Sequence, residues 1–157
     1  MAKQIIVRKL KNGVSVTINY PRQFRTVIVN NKPYCLKFPK AELTVKMLYR
    51  MKYSPTAKKY VKSNELQFDY LKFTSAEKSA QIPLPNITGG YVCLGKDIYE
   101  KSLESIVKTV VERFWTSRFE GLYGPKVTKF KRWVKNSQKP SKLKRPKPID
   151  WNVLNET

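Results

Sequence analysis

Residues 83–95, Pro83-Leu84-Pro85-Asn86-Ile87-Thr88-Gly89-Gly90-Tyr91-Val92-Cys93-Leu94-Gly95, separate two kinds of pattern in this chain. Pro83 and Pro85 interrupt regular structure. Gly89-Gly90 marks a tight turn, because glycine enters the left-handed backbone region without steric cost. The short apolar run Tyr91-Val92-Cys93-Leu94 then meets Gly95, which breaks the chain again. Most of what comes before alternates with period two; what comes directly after has the period of a helix. A cysteine between a diglycine turn and a helix start is either a reactive thiol or a small buried residue, and both readings stand at this point.

The first 38 residues predict two β-hairpins. Gln4-Ile5-Ile6-Val7 is rich in β-branched side chains, and Val14, Val16 and Ile18 alternate with Ser15, Thr17 and Asn19. Asn12-Gly13 is a hairpin turn signal between them, so residues 4–20 read as one unit, ended by Pro21. In the second unit Thr26-Val27-Ile28-Val29 is one arm, Asn30-Asn31-Lys32-Pro33 the turn, and Tyr34-Cys35-Leu36-Lys37-Phe38 the other arm. Cys35 reads there as a small buried apolar residue. Pro39 suits a first helical position, and Leu43, Met47, Leu48 and Met51 recur at helical spacing, which predicts a short helix over 40–52. Thr44 and Val45 weigh against it, and Ser54-Pro55 ends it. Residues 55–64 carry Lys58, Lys59, Tyr60 and Lys62 and read as a basic loop or a short helical turn. Leu66, Phe68, Tyr70, Leu71 and Phe73 predict a strand over 65–74 with a bulge near Tyr70-Leu71, and residues 75–81 a polar loop.

After Gly95, Asp97 with Glu100 resembles a capping box, with Ser102 as the alternative cap. Leu103, Ile106, Val107, Val110, Val111, Phe114, Trp115 and Phe119 fall at steps of three and four, an apolar face that predicts a helix over 100–119. This stripe reads as core packing. Gly121 and Gly124-Pro125 end the helix. From there to residue 147 the charged residues are all basic, with Phe130, Trp133 and Val134 among them. Residues 126–136 fit a short strand or helix packed on the domain. Pro140, Pro146 and Pro148 make residues 137–157 an extended tail, in which Ile149, Trp151, Val153 and Leu154 suit docking on an apolar surface of this chain or another.

Composition narrows the function classes. Across 157 residues, 32 Lys and Arg stand against 11 Asp and Glu, a formal net charge of +21. A charge that large repels itself unless a polyanion neutralises it, which points to nucleic acid, a ribonucleoprotein or an anionic membrane surface; high charge also simply keeps some proteins soluble. The chain has no histidine, so imidazole enters no catalytic scheme, and two cysteines are too few for a structural zinc site. No metal or cofactor is expected. Cys35 and Cys93 do not form a disulfide framework, which suits an intracellular, reducing setting, the cytoplasm. The first residues have no signal-peptide pattern and no segment reaches the ~20 apolar residues of a membrane span, so no membrane partner is expected.

The stretch around Cys93 resembles ubiquitin-conjugating enzymes. Those enzymes carry a His-Pro-Asn triplet, a short turn with glycine, the catalytic cysteine followed by leucine, and then a crossover helix. Here Leu84-Pro85-Asn86 takes the place of the triplet, Gly90 that of the turn and Cys93-Leu94 that of the catalytic position, with Phe114-Trp115-Thr116-Ser117 at the end of the helix. The same residues are similar to the prokaryotic branch of the family, including protein B of plasmid-borne PRTRC cassettes. The likeness covers about residues 65–120. It departs in four ways: Leu84 replaces the histidine, the Asn86-to-Cys93 gap is one residue shorter, the chain starts with strands instead of a helix, and the basic tail has no counterpart in the family. The resemblance implies Cys93 as an acyl-accepting thiolate and Asn86 as a hydrogen-bond donor to the oxyanion, with an activating enzyme and a ubiquitin-like modifier as partners.

The expected fold class is α+β: an antiparallel β-meander packed on one long amphipathic helix and a shorter helix, with an extended basic C-terminal tail. The domain spans 1–125 and the interaction tail 126–157. Two functions follow. One is a conjugating-like module, a thioester carrier through Cys93, tethered to a polyanion by its tail. The other is a non-enzymatic RNA-, DNA- or ribonucleoprotein-binding protein of a plasmid or phage, with Cys93 buried and structural. The residues expected to meet nucleic acid are Lys126, Lys129, Lys131, Arg132, Trp133, Lys135, Lys142, Lys144, Arg145 and Lys147; cations neutralise phosphates, and Phe130, Trp133 and Tyr60 suit base stacking.

Overall fold

The computed structural model describes residues 4–78, 82–94, 102–122, 124–143, 146 and 148–156. Among the described residues the chain is mixed α+β, with two α-helices, one 3-10 helix and mostly antiparallel sheets. Strands β1 (Ile5–Lys9) and β2 (Gly13–Tyr20) form the first hairpin, and β3 (Gln23–Val29) and β4 (Lys32–Phe38) the second, as the alternation predicts. The turns differ from a simple reading of their sequences. Asn30 and Asn31 supply the left-handed pair, at φ 48° and 65°, so β4 begins at Lys32 and takes in Pro33. Proline is tolerated there because β4 is the edge of its sheet. Gly13, by contrast, is required by packing: a Cβ on it would lie 1.9 Å from the carbonyl oxygen of Met47.

The predicted helix over 40–52 is a strand. β5 (Ala41–Ser54) pairs antiparallel with β2 on one side and β6 (Lys59–Ser75) on the other. Leu43, Met47 and Met51 are spaced by four, a spacing that fits one helix face or one strand face. Leu43, Val45 and Met47 complete the period-two reading, and all three are fully buried. Residues 59–64 continue β6 instead of forming a loop. The expected bulge falls at Asp69: Lys46 faces Tyr70 and Met47 faces Phe68, leaving one residue over.

The order in the larger sheet is β1-β2-β5-β6-β8-β7, and in the smaller β4-β3-β9. Helix α1 (Leu103–Thr116) packs against β3 of the smaller sheet and β6 of the larger. Ser102 caps it, its hydroxyl oxygen accepting from Ser105 N at 3.1 Å; the Asp97–Glu100 box lies outside the described residues. The helix is shorter than its apolar stripe predicts. After Ser117 the chain is extended, and β9 (Arg118–Phe119) pairs parallel with β3, so Phe119 enters the core from a strand. Around α1, Phe73, Phe114 and Trp115 meet edge to face at 4.8–5.6 Å. Trp115 also donates its Nε1–H to Tyr20 Oη at 3.0 Å. Burial, above all, pushes the Tyr20 phenol up from its ordinary value, while burial pulls down the Arg25 guanidinium stacked on Trp115.

Helix α2 (Pro125–Ser137) packs on β4 through buried Phe130 and through Trp133, whose Nε1–H donates to Lys37 O at 2.6 Å. The C-terminal 3-10 helix (Trp151–Glu156) lies on α1; Leu154 is buried, and Ile149, Trp151 and Val153 are packed beside it. The apolar residues near the end therefore dock on this chain. Among the described residues, no helix is long and apolar enough to cross a membrane.

Candidate active site

The Pro83–Leu94 stretch is held against the end of the larger sheet. Pro83, Leu84 and Pro85 are buried, and Leu84 has no solvent exposure. Strands β7 (Ile87–Thr88) and β8 (Tyr91–Val92) form a minimal hairpin through Gly89 and Gly90, at φ 58° and 88°. β8 is tied to β6 by the Leu71–Val92 and Lys72–Tyr91 pairings, and Phe73 N donates to Gly90 O at 2.7 Å. Gly90 is constrained twice, since a Cβ there would come within 2.7 Å of Thr74 Cγ2. From the other side, Lys126 Nζ donates to Ile87 O at 2.7 Å and to Leu84 O at 3.4 Å.

This scaffold brings Asn86 and Cys93 together. Ile87 pairs with Val92 and Thr88 with Tyr91, so the next residues out on the two arms are Asn86 and Cys93. Cys93 N–H donates to Asn86 O at 3.0 Å, closing the open end of the hairpin. Asn86 sits in the left-handed region at φ 66°, a conformation asparagine tolerates better than most residues. Both residues are exposed. Cys93 is thus not the buried residue that the structural reading expects. Beside it, exposed Tyr91 meets Tyr70 edge to face at 5.3 Å, with Lys72 Nζ 5.3 Å from the Tyr91 ring. Burial foremost, then the neighbouring Tyr91 and Asp69, push the Tyr70 phenol up.

Cys35 is exposed too, contrary to its reading as a buried strand residue. Leu36 and Phe38 take the inward positions of β4, and the alternation turns Cys35 outward.

The basic residues fall into three groups. Lys129, Lys131, Arg132 and Lys135 lie exposed along α2, and Lys142 is exposed beyond it. Lys126 and Trp133 are engaged in the contacts described above, with the site loop and with β4. Lys144, Arg145 and Lys147 lie outside the described residues. The Lys126 tether and the burial of Leu84 were missed in the sequence; the apolar character of Leu84 between two prolines was the available signal for the second. A cleft of about 430 Å³ lies beside the hairpin, lined by Phe73, Ile82, Gly89, Gly90, Lys126 and Lys129 among others. Compared with known proteins, the chain matches no family model, no curated protein and no solved structure.

Proposed function

We propose that this protein is a ubiquitin-conjugating-like module that carries an acyl group on Cys93. The observation that carries this reading is the Asn86–Cys93 pairing: an exposed thiol held beside an asparagine by a 3.0 Å backbone hydrogen bond, on a hairpin clamped from two sides. The Cys93 thiolate attacks the carbonyl carbon of an acyl thioester on an activating enzyme. A new sulfur–carbon bond forms, and the old one breaks as the enzyme's thiolate leaves. A lysine amine on the acceptor then attacks the Cys93 thioester. The nitrogen–carbon bond forms, the Cys93 sulfur leaves as thiolate, and the amine's proton passes to solvent. Asn86 supports both steps by donating its side-chain amide to the oxyanion. A single donor of that kind contributes on the order of 10²–10³ in rate. No histidine base takes part, consistent with a chain that has none. The acyl donor is a ubiquitin-like modifier, and no cofactor is used.

Alkylation tests the exposed thiol. With iodoacetamide at neutral pH, Cys93 should be modified faster than Cys35 on the same molecule. Equal rates at the two exposed cysteines contradict an activated Cys93.

A second reading is favoured by the exposed Lys129-Lys131-Arg132-Lys135 face of α2 on a chain of net charge +21: binding to nucleic acid or a ribonucleoprotein. The two readings are compatible, with the helix tethering the module to a polyanion. Replacing these four residues by glutamine should flatten the salt dependence of binding by about one unit of slope per lost phosphate contact. An unchanged slope removes α2 from the interface.

A further inference from the structure

Beyond Leu48 the β5–β6 pair leaves the sheet. β2 covers β5 only as far as the Gly13–Leu48 pairing, and β8 covers β6 only at Leu71 and Lys72. Tyr49 N–H still donates to Asn12 O at 2.9 Å; past it, among the described residues, Met51–Ser54 and Lys59–Lys62 pair with each other alone, closed by a turn at Pro55–Lys58, with Lys58 at φ 53°. A lone two-stranded ribbon is marginally stable in water, and among the described residues this one carries the most exposed large apolar side chains. Met51 and Tyr53 are each 55% exposed and Tyr60 68%.

The register sorts its side chains. Tyr49 pairs with Leu66, Met51 with Lys62 and Tyr53 with Tyr60, so these share the face that continues the buried face of β5. The Tyr53 and Tyr60 rings meet at 5.5 Å, and Lys62 Nζ stands 4.7 Å from the Tyr49 ring. The opposite face holds Arg50, Lys52 and Lys59. On the whole ribbon Arg50, Lys52, Lys58, Lys59 and Lys62 stand against Glu65, which pairs with Lys52 at 2.6 Å.

We propose that this ribbon is a stacking platform for single-stranded nucleic acid: bases on the exposed Tyr53 and Tyr60 rings, phosphates on Lys62 of the same face and Lys58 of the turn. Exposed aromatic rings set among cations are how proteins hold single strands without reading sequence. A second copy of the chain is the poorer occupant, because it brings another +21 to the same surface. The platform goes beyond the α2 reading, which needs only charge, and it stands or falls separately from it.

The test is anisotropy of a labelled oligo(dT) against an abasic strand of the same length. The parent should prefer oligo(dT). Tyr53→Ala with Tyr60→Ala should weaken oligo(dT) binding by about tenfold or more, the effect of losing a stacked base, and leave abasic binding unchanged. Tyr53→Phe with Tyr60→Phe should keep the preference, and the corresponding leucine pair, which retains apolar bulk, should lose it. Glutamines on α2 should leave the preference intact even where they lower overall affinity, so failure of the α2 reading and failure of the platform look different. Equal binding of the two strands by the parent overturns the proposal, as does a leucine pair that retains the preference. Sedimentation showing that the alanine pair dissociates a dimer, with oligo(dT) binding unchanged, also overturns it and assigns the ribbon to self-association.

Discussion

Cys35 lies in mid-strand, facing Thr26 in an unbroken ladder between β3 and β4, whereas Cys93 follows a two-residue strand whose other arm begins at a left-handed asparagine. Both thiols reach solvent. The difference lies in what surrounds them. Around Cys35 the structure is regular and its outward face is simply wetted. Around Cys93 a buried leucine, two positive-φ glycines, the Phe73–Gly90 bond and the Lys126 tether all fix a short hairpin that has little burial of its own. Exposure alone therefore separates nothing; the density of constraints around an exposed side chain is what marks Cys93.

The largest expected effect that separates the two cysteines is on chemistry. Asn86→Gly keeps the left-handed turn and removes the side-chain donor, so acyl transfer to Cys93 should fall on the order of 10²-fold or more, with acylation of Cys35 unchanged. Asn86→Ala should show the same loss plus destabilisation of about 1–2 kcal/mol from forcing alanine into that conformation, read by denaturant unfolding. A glycine variant with full activity breaks the proposed asymmetry.

Next come the supports. Leu84→Ala empties a fully buried site and should cost about 2–5 kcal/mol, while Cys35→Ser on the exposed face should stay within about 0.5 kcal/mol. A smaller contrast sits inside the hairpin turn. Both glycines have positive φ, but only Gly90 is crowded by Thr74. Gly90→Ala should therefore destabilise by about 1–3 kcal/mol more than Gly89→Ala; equal melting temperatures would show that the contact is relieved at no cost.

The smallest effect lies at Glu77, outside both settings. Arg22 Nε donates to its carboxylate at 3.0 and 3.2 Å and Lys40 N at 2.7 Å, and these bonds, Arg22 first, hold the Glu77 carboxyl below the usual range. Its contribution to stability is present above the unfolded carboxylate pKa of about 4.3 and is lost as pH falls through the lower folded value. Glu77→Gln should lower the melting temperature slightly at neutral pH, flatten the acid limb of stability and leave both thiols' reactivity alone. An unaltered acid limb would put the depressed carboxyl elsewhere.

Much of the β-structure was legible because alternation and turn residues agree: Ile5 to Tyr20 and Gln23 to Phe38 are local hairpins that need no distant information. The strand β5 reads as a helix because a spacing of four is common to both periods, and only the β-branched pair Thr44-Val45 favours the strand. Phe119 extended the apolar stripe of α1 for a similar reason: its burial was real, but it arises from a parallel pairing with β3 that no local pattern encodes. At the candidate site, Asn86 and Cys93 lie symmetrically about Gly89-Gly90, so their approach follows from the turn itself. The Lys126 tether spans 39 positions to Ile87 and could not be read from either end. The outward turn of Cys35 was readable, since Leu36 and Phe38 already claim the inward face.

The most direct measurement offers the protein a small-molecule acyl thioester at neutral pH and follows, by peptide mass mapping, which cysteine becomes acylated. Cys93 should fill first, with an adduct that hydroxylamine removes, and its lead over Cys35 should vanish in Asn86→Gly. Equal acylation of Cys93 and Cys35, or a lead that survives the loss of Asn86, would contradict an Asn86-assisted acyl carrier at Cys93.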